Sequence, residues 1–534
     1  MGWCLGNENK VETNKVKMGK LAQKTKAGKA KKKSIKKDAK SHLLHAIKIN
    51  PEFSDAHYEL GCLLMDKGDL KSAEKEFKKV VKLDENHAYG YFKLALIAAE
   101  FKKNKTARNQ FEKAVTIKFD DPEIQFKYGI FLKIIKKIEE ATEHFGKAIE
   151  ANQNFAEAYF ELAMLLRDPE EYDRAKKSYE TAIDIKPDYV DALYYLGKLI
   201  MNGMRKDKDG TLLLKPETDY AISCFEKVLK TDENHAKANL RLGMIFAKQG
   251  EFSKAEKHLK MAVKMNPRFS KALYHLGLVL KELKKEKEAI KLLKRSLSHF
   301  SKSPLAHYYL GLLLKENNEI DEGITHLNKA IEFDPEFDDA YYYLARFLEE
   351  KEDYEGAKEH YLKALARNHK HRDASFHLGL LMKNLNVMEE AKAYMEKTIE
   401  TDQNFTEAYY YLGMILNDPG DYAVAKKCYL TAIDIDPKYL MAHYHLANLL
   451  SSGKRLKKDG TLIIKKELEK AKKHYIEALR LDPTFPKIHY HMALLLEDEG
   501  NLGDAENHLL KAIEINPDYA KAHYRLALLF RNKN

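Results

Sequence analysis

The chain has 534 residues, 44% hydrophobic and 32% charged with only 13 Pro, a composition that points to helix and excludes collagen-like, Pro/Ser-rich and turn-dense β architectures. No apolar run of about 18 residues occurs, which excludes a membrane-spanning helix, and the start Met-Gly-Trp-Cys-Leu-Gly lacks the apolar core of a secretory signal. The formal charge of +11 is concentrated at one end: residues 1–40 hold 13 Lys against Glu8, Glu12 and Asp38, a surplus of +10 that leaves +1 for the other 494 residues, so the body is not a basic cradle for nucleic acid.

The first element is a tail, residues 1–38. Lys24, Lys26, Lys29, Lys31, Lys32, Lys33, Lys36 and Lys37 dominate it, and so polar a segment cannot bury a core alone. Lysines without arginines or interleaved aromatics predict attraction to an acidic surface rather than base readout. Tubulin in a microtubule-based assembly such as a cilium axoneme is the favoured surface. RNA on the tail, or an anionic membrane, are the alternatives. Gly2 and Cys4 suit a dual-acylation signal with the lysines behind them, although position 6 is Gly rather than Ser or Thr. The four cysteines Cys4, Cys62, Cys224 and Cys428 are widely separated with no Cys-x-x-Cys pair, which predicts free thiols in a reducing, cytoplasmic setting.

From Ala39 onward a pattern recurs about every 34 residues. Ala156–Tyr189 shows it whole: Tyr159, Leu162, Ala163 and Leu166 at helical spacing, then Tyr172, Ala175, Tyr179 and Ala182, then Pro187. Each repeat is a helical hairpin, and the chain reads as an all-α solenoid. A second helix near Ala39–Ile49 comes first, then thirteen hairpins from Ser54 to Tyr519, then a first helix from Ala520. Residues 39–284 align with 289–534 at a constant offset of 250: Gln153-Asn154-Phe155 returns as Gln403-Asn404-Phe405 and Asp168-Pro169 as Asp418-Pro419. This predicts a tandem duplication of a seven-repeat unit.

Two matched insertions interrupt hairpins seven repeats apart. Asp209-Gly210-Thr211-Leu212-Leu213-Leu214 follows Lys208, and Asp459-Gly460-Thr461-Leu462-Ile463-Ile464 follows Lys458. The Asp-Gly pair predicts a small β-hairpin turn, and three apolar residues on a projecting loop predict a docking element. Phosphate loops, nucleophile elbows, paired metal ligands and dinucleotide fingerprints are missing from the sequence, so no enzymatic activity, cofactor or metal is expected.

Small residues recur on register in the first helix, among them Gly61, Ala95, Gly129, Ala163, Gly197, Gly243, Gly277 and Gly311, and alanines such as Ala73, Ala107 and Ala141 recur in the second, with Gly323 the sole substitute. The pattern resembles the tetratricopeptide repeat, whose small residues lie where two helices cross. Trp, favoured early in that motif, is replaced by His57, His307, His443, His489 and His523 among others. The resemblance implies a right-handed superhelix whose first helices line a concave groove for polypeptide. The position after the early aromatic is itself aromatic in nearly every repeat, including Tyr274, Tyr308, Tyr342 and Tyr410. The next position is variable early and then reads His275, Tyr309, Tyr343, His377, Tyr411, His445 and His491. Both ladders are expected to hold an extended or helical segment of a partner protein, with rings supplying apolar area and hydroxyl or imidazole tips satisfying its backbone. The groove lacks the Lys and Asn of a C-terminal carboxylate clamp.

Overall fold

The computed structural model describes residues 39–206, 211–214, 216–416, 418–456 and 461–533. The tail with its lysines, Gly2 and Cys4, and the loop residues Asp209, Gly210, Asp459 and Gly460, lie outside the described residues. The chain divides into two compact units, Met1–Met265 and Asn266–Asn534. They part before the sequence-defined boundary at 284–289, because helix Ser270–Glu282 packs as a hairpin with Glu286–His299.

In the first unit helix 39–49 precedes six helical hairpins, from Ser54–Asp66/Leu70–Leu83 to Ala236–Lys248/Phe252–Met265; in the second, seven hairpins precede helix Ala520–Lys533, all among the described residues. Helix bounds recur at the 250 offset: Ser54–Asp66 with Pro304–Glu316, Pro122–Ile134 with Arg372–Asn384, Val190–Asn202 with Leu440–Ser452.

The hairpins form for local reasons. First helices start at an N-cap, with the Asp121 side chain accepting from the backbone of Glu123 and Ile124 at 3.1 and 3.0 Å and Pro122 at the first turn, where its missing N–H costs nothing. The turn inside eleven of the thirteen hairpins places one residue in the left-handed region, Gly68 (φ 79°) in one and Asn318 (φ 65°) in another. The two helices then cross closely: a Cβ on Gly129 would lie 2.7 Å from the Phe145 ring, and one on Gly311 only 3.0 Å from the Gly323 carbonyl. That approach buries Phe77, Phe111, Phe145, Phe225 and Tyr361 completely. The early-motif histidines do the work of a buried capping side chain. His57 and His307 bond the carbonyls of Pro51 and Ser301, six residues earlier, at 3.0 and 2.9 Å.

The insertions are two-stranded antiparallel ribbons, the only strands among the described residues. Met204–Lys206 pairs with Leu212–Leu214, and Lys454–Leu456 with Leu462–Ile464. Gly203 (φ 60°) and Gly453 (φ 61°) start them; at Gly453 a Cβ would meet the Lys465 backbone at 2.4 Å. The helix Ala156–Leu165 stops early, giving way to the turn Pro169–Glu171, and the ribbon packs on that turn. Glu217 anchors the return strand to Lys176, as Glu467 does to Lys426. Cys62, Cys224 and Cys428 are free thiols, and burial pushes the Cys224 and Cys428 thiols up to about 11, which keeps them protonated and unreactive.

Candidate polypeptide-binding ladder of the second unit

In each first helix the two ladder positions are adjacent, so their rings leave the helix about 100° apart. The first is turned toward the next hairpin. Tyr308, Tyr342 and Tyr410 are only 8%, 7% and 5% exposed, because an aromatic from the following loop covers each: Phe337 over Tyr308 at 4.9 Å, His371 over Tyr342 at 5.1 Å, Tyr439 over Tyr410 at 5.3 Å. These three do not face the groove as expected; they form the wall behind it. Tyr274 is half-buried.

The second position remains open to contact. His275, Tyr309, Tyr343, His377, Tyr411, His445 and His491 are all half-buried. Each packs edge-on against the wall ring of its own helix, as in Tyr308–Tyr309 at 5.0 Å and Tyr342–Tyr343 at 4.9 Å, and all but His275, before which the wall position is Leu240, also meet the wall ring of the preceding hairpin, as in Tyr308–Tyr343 at 5.7 Å, Tyr342–His377 at 5.8 Å, Phe376–Tyr411 at 5.8 Å and Tyr444–His491 at 5.7 Å. The result is a continuous run of rings from His275 to His491 within the second unit. Edge-to-face packing within each helix, with the tilted contacts between hairpins, holds these rings in defined positions.

The ladder is electrically quiet. Burial, aided by Arg346, pulls His377 down to about 4, and burial with His491 and Lys487 does the same for His445. Both are neutral imidazoles near pH 7. Burial pushes the Tyr274, Tyr308 and Tyr410 hydroxyls up, so they stay protonated. Sequence reasoning missed Arg346, which breaks the apolar series Leu278, Leu312, Leu380 and Met414 three residues beyond the ladder position. Its Nη1 donates to Nε2 of His377 at 2.8 Å and to the Tyr342 hydroxyl at 3.3 Å. It borders a hollow of about 300 Å³ formed with Leu312, Tyr343, Phe347 and Glu350.

At the equivalent positions the first unit reads Glu59, Lys93, Lys127, Glu161, Tyr195 and Arg241 where the second has Tyr309, Tyr343, His377, Tyr411, His445 and His491. The two units share a scaffold and differ on this surface.

The ribbon side chains project rather than fold back on their own hairpins: Leu212, Leu213 and Leu214 are 57%, 38% and 70% exposed, and Leu462 and Ile464 are 55% and 63%, with Ile463 half-buried. Among the described residues no group of three His, Cys, Asp or Glu is placed to hold a metal ion, and no helix is long and apolar enough to cross a membrane.

Profiles of the tetratricopeptide repeat match residues 54–87, 156–189, 306–337, 406–439 and 486–519, residues 217–264 and 240–306, and residues 326–359, and a TPR-repeat profile matches 461–500. Together these take in more than half of the chain. It belongs to the tetratricopeptide-repeat family. Among solved structures this tetratricopeptide-repeat chain is similar to MamA, at 30% identity over 28% of this chain and 89% of that one with a TM-score of 0.28. It is also similar to Cut9–Hcn1 of the APC/C, at 15% identity over 93% of each chain with a TM-score of 0.36. A third likeness is to YrrB, titled a TPR protein with an unusual peptide-binding site, at 22% identity over 44% of this chain and 96% of that one with a TM-score of 0.27. No curated protein matches the chain.

Proposed function

We propose that this tetratricopeptide-repeat chain is a non-enzymatic interaction scaffold whose second unit holds a polypeptide segment along the ladder from His275 to His491. The observation that carries the reading is the difference between equivalent surfaces: six half-buried Tyr and His side chains from Tyr309 to His491 in the second unit, and Lys, Arg or Glu at every matching position of the first but Tyr195. Rings needed only for hairpin packing would recur in both units, as the wall rings do. An extended or helical segment would lay apolar side chains on the ring edges and take hydrogen bonds from the Tyr hydroxyls. Replacing Tyr343 and Tyr411 with Ala is expected to lower the affinity of such a segment at least about tenfold while the helical circular dichroism stays as it was. Unchanged affinity would reduce the ladder to packing.

The lysine tail adds a second contact. Thirteen lysines against three carboxylates within residues 1–40 suit an acidic polymer surface, and tubulin in a microtubule or ciliary assembly of the cytoplasm is the setting this reading favours. Deleting residues 1–38 is expected to leave the helices intact and to weaken co-sedimentation with microtubules. Binding of the full chain should fall as salt rises. Nuclease-sensitive co-purification would instead assign the tail to RNA, and salt-independent sedimentation would remove the electrostatic role. The projecting ribbons are read as docking elements for the same assembly, tested by whether cross-links from Lys208 and Lys458 reach a partner or stay within the chain.

A further inference from the structure

A hollow of about 640 Å³ opens within the first unit at the end of helix Ala156–Leu165. That helix has 10 residues, whereas its neighbours Pro122–Ile134 and Val190–Asn202 have 13. Pro169 stops it, because a residue before proline is held out of the helical region, and Asp168 is extended at ψ 145°. The missing turn leaves Met164 and Arg167 on one side of the hollow. Tyr195, Lys198 and Met201 of helix Val190–Asn202, with Arg241 of Ala236–Lys248, stand on the other. Its volume is in the range of small-molecule sites, and its wall is part apolar, part cationic.

Three cations and no carboxylate line this space. Among the described residues none of the three forms an ion pair: Arg167 Nε donates to the Met164 carbonyl at 3.3 Å, and Lys198 Nζ lies over the Tyr195 ring at 5.8 Å. Glu161, on the same helix as Met164, is already paired with Lys133. The duplicated unit carries Asn417, Asn448 and His491 at the matching positions, and burial holds His491 below its ordinary value. The cluster of charge is thus particular to the first unit.

A second, independent feature points into the same space. The Tyr179 side chain, only 4% exposed, lines the hollow, and its hydroxyl has no hydrogen-bond partner among the described residues. Burial pushes that hydroxyl up, so it stays a donor. Tyr361, its counterpart in hairpin Asp338–Glu350/Tyr354–Arg367, donates to the Glu349 carboxylate at 2.7 Å. Arg167 precedes Tyr179 by the same twelve residues that separate Glu349 from Tyr361. A cation therefore stands where the acceptor belongs, and an anionic oxygen between them satisfies both the hydroxyl and the guanidinium.

We infer that the hollow binds a small phosphate-bearing polyanion, one phosphate oxygen taking the Tyr179 O–H and the Arg167 guanidinium and the remaining charge facing Lys198 and Arg241. The planar guanidinium forks suit phosphate oxygens, and Tyr195, Met164 and Met201 offer an apolar wall to any organic body the phosphates carry. The site is independent of the second-unit ladder.

Titration calorimetry of the full chain with ATP and with inorganic tripolyphosphate tests this. The comparison variant carries Arg167→Asn, Lys198→Asn and Arg241→His together, the residues of the second unit, so the fold tolerates them; the lysine tail is the same in both. Affinity is expected to fall at least about tenfold in this variant. Tyr179→Phe, which puts at 179 the residue found at 77, 111, 145 and 225, is expected to cost about fivefold with unchanged circular dichroism. Equal affinity for the two probes assigns the hollow to the phosphate chain alone, and tighter ATP binding adds the apolar wall. Photolabelling with 8-azido-ATP is expected to mark helix Val190–Asn202. Affinity that the triple exchange leaves unchanged, or label confined to residues 1–38, overturns the inference.

Discussion

Acidification from neutral pH to about pH 4 is expected to destabilise the second unit strongly and the first much less. The three His–His pairs, His307 with His326 at 2.7 Å, His443 with His474 at 3.0 Å and His489 with His508 at 2.9 Å, are the main cause, beside the buried ladder imidazoles His377 and His445. Burial pulls His326, His474 and His508 down to about 4 each, and in each case the facing histidine lowers it further. The unfolded chain binds these protons near pH 6.5, the folded chain only near pH 4, so the unfolded state holds more protons in between. Stability is therefore full above about pH 6.5 and is lost progressively from there down to about pH 4. With solvent screening allowed for, the loss is on the order of 1–2 kcal/mol per pair. At the matching sites of the first unit His57 faces Glu76 at 2.6 Å, His144 faces Gln125 and His258 faces Asn239, without a second imidazole to repel; burial, with Lys147 and Lys257, still holds His144 and His258 below their ordinary value, so the first unit keeps a smaller share of the same dependence. Thermal unfolding followed by circular dichroism from pH 7.5 to pH 4 checks this, with His326→Asn, His474→Asn and His508→Asn together expected to flatten the dependence. A midpoint that does not move over that range contradicts it.

Phe145→Ala is expected to cost about 3–5 kcal/mol. The ring is 0% exposed, fills the crossing against Gly129 and lies 5.7 Å from Phe126. Ala at 145 leaves a cavity lined by backbone that cannot close, because the crossing distance is set by both helices. In a solenoid each hairpin touches only its neighbours, so the loss should be local. Hydrogen exchange is expected to accelerate in Pro122–Ile134 and Ile138–Ala151 and their neighbours, and to stay unchanged in the second unit. Phe145→Leu should cost much less, since Leu259 and Leu293 fill the same site opposite Gly243 and Gly277. Uniform acceleration throughout the chain would contradict the local account.

The helical hairpin, its crossing glycines and alanines and the 250-residue recurrence were all legible in the sequence, since each follows from residue spacing alone. The ladder was legible only in part. Periodicity identifies two adjacent aromatic positions, but which one faces out depends on Phe337, His371 and Tyr439, loop residues whose reach over the first ring is a tertiary fact. Arg346 was visible as the one charge within an apolar series, yet its bond to His377 spans two hairpins. The His–His pairs follow a separation of 19 residues, which the ribbon insertion stretches to 31 between His443 and His474. A reader tracking one helix at a time passes over both. The ribbons were legible as a turn signal, and their projection was decided by the packing of Met204–Lys206 on the turn Pro169–Glu171.

Polypeptide binding is proposed for the second-unit ladder and not for the equivalent first-unit surface. Its most direct test exchanges the two surfaces at matched positions. Peptides selected from a random phage-displayed library on the unaltered chain are measured by titration calorimetry against a variant carrying Tyr343→Lys and Tyr411→Glu. Those are the residues the first unit bears at Lys93 and Glu161, so the fold tolerates them. The account predicts that the selected peptides lose at least about tenfold in affinity. Equal affinity for the unaltered chain and the exchanged variant would contradict it.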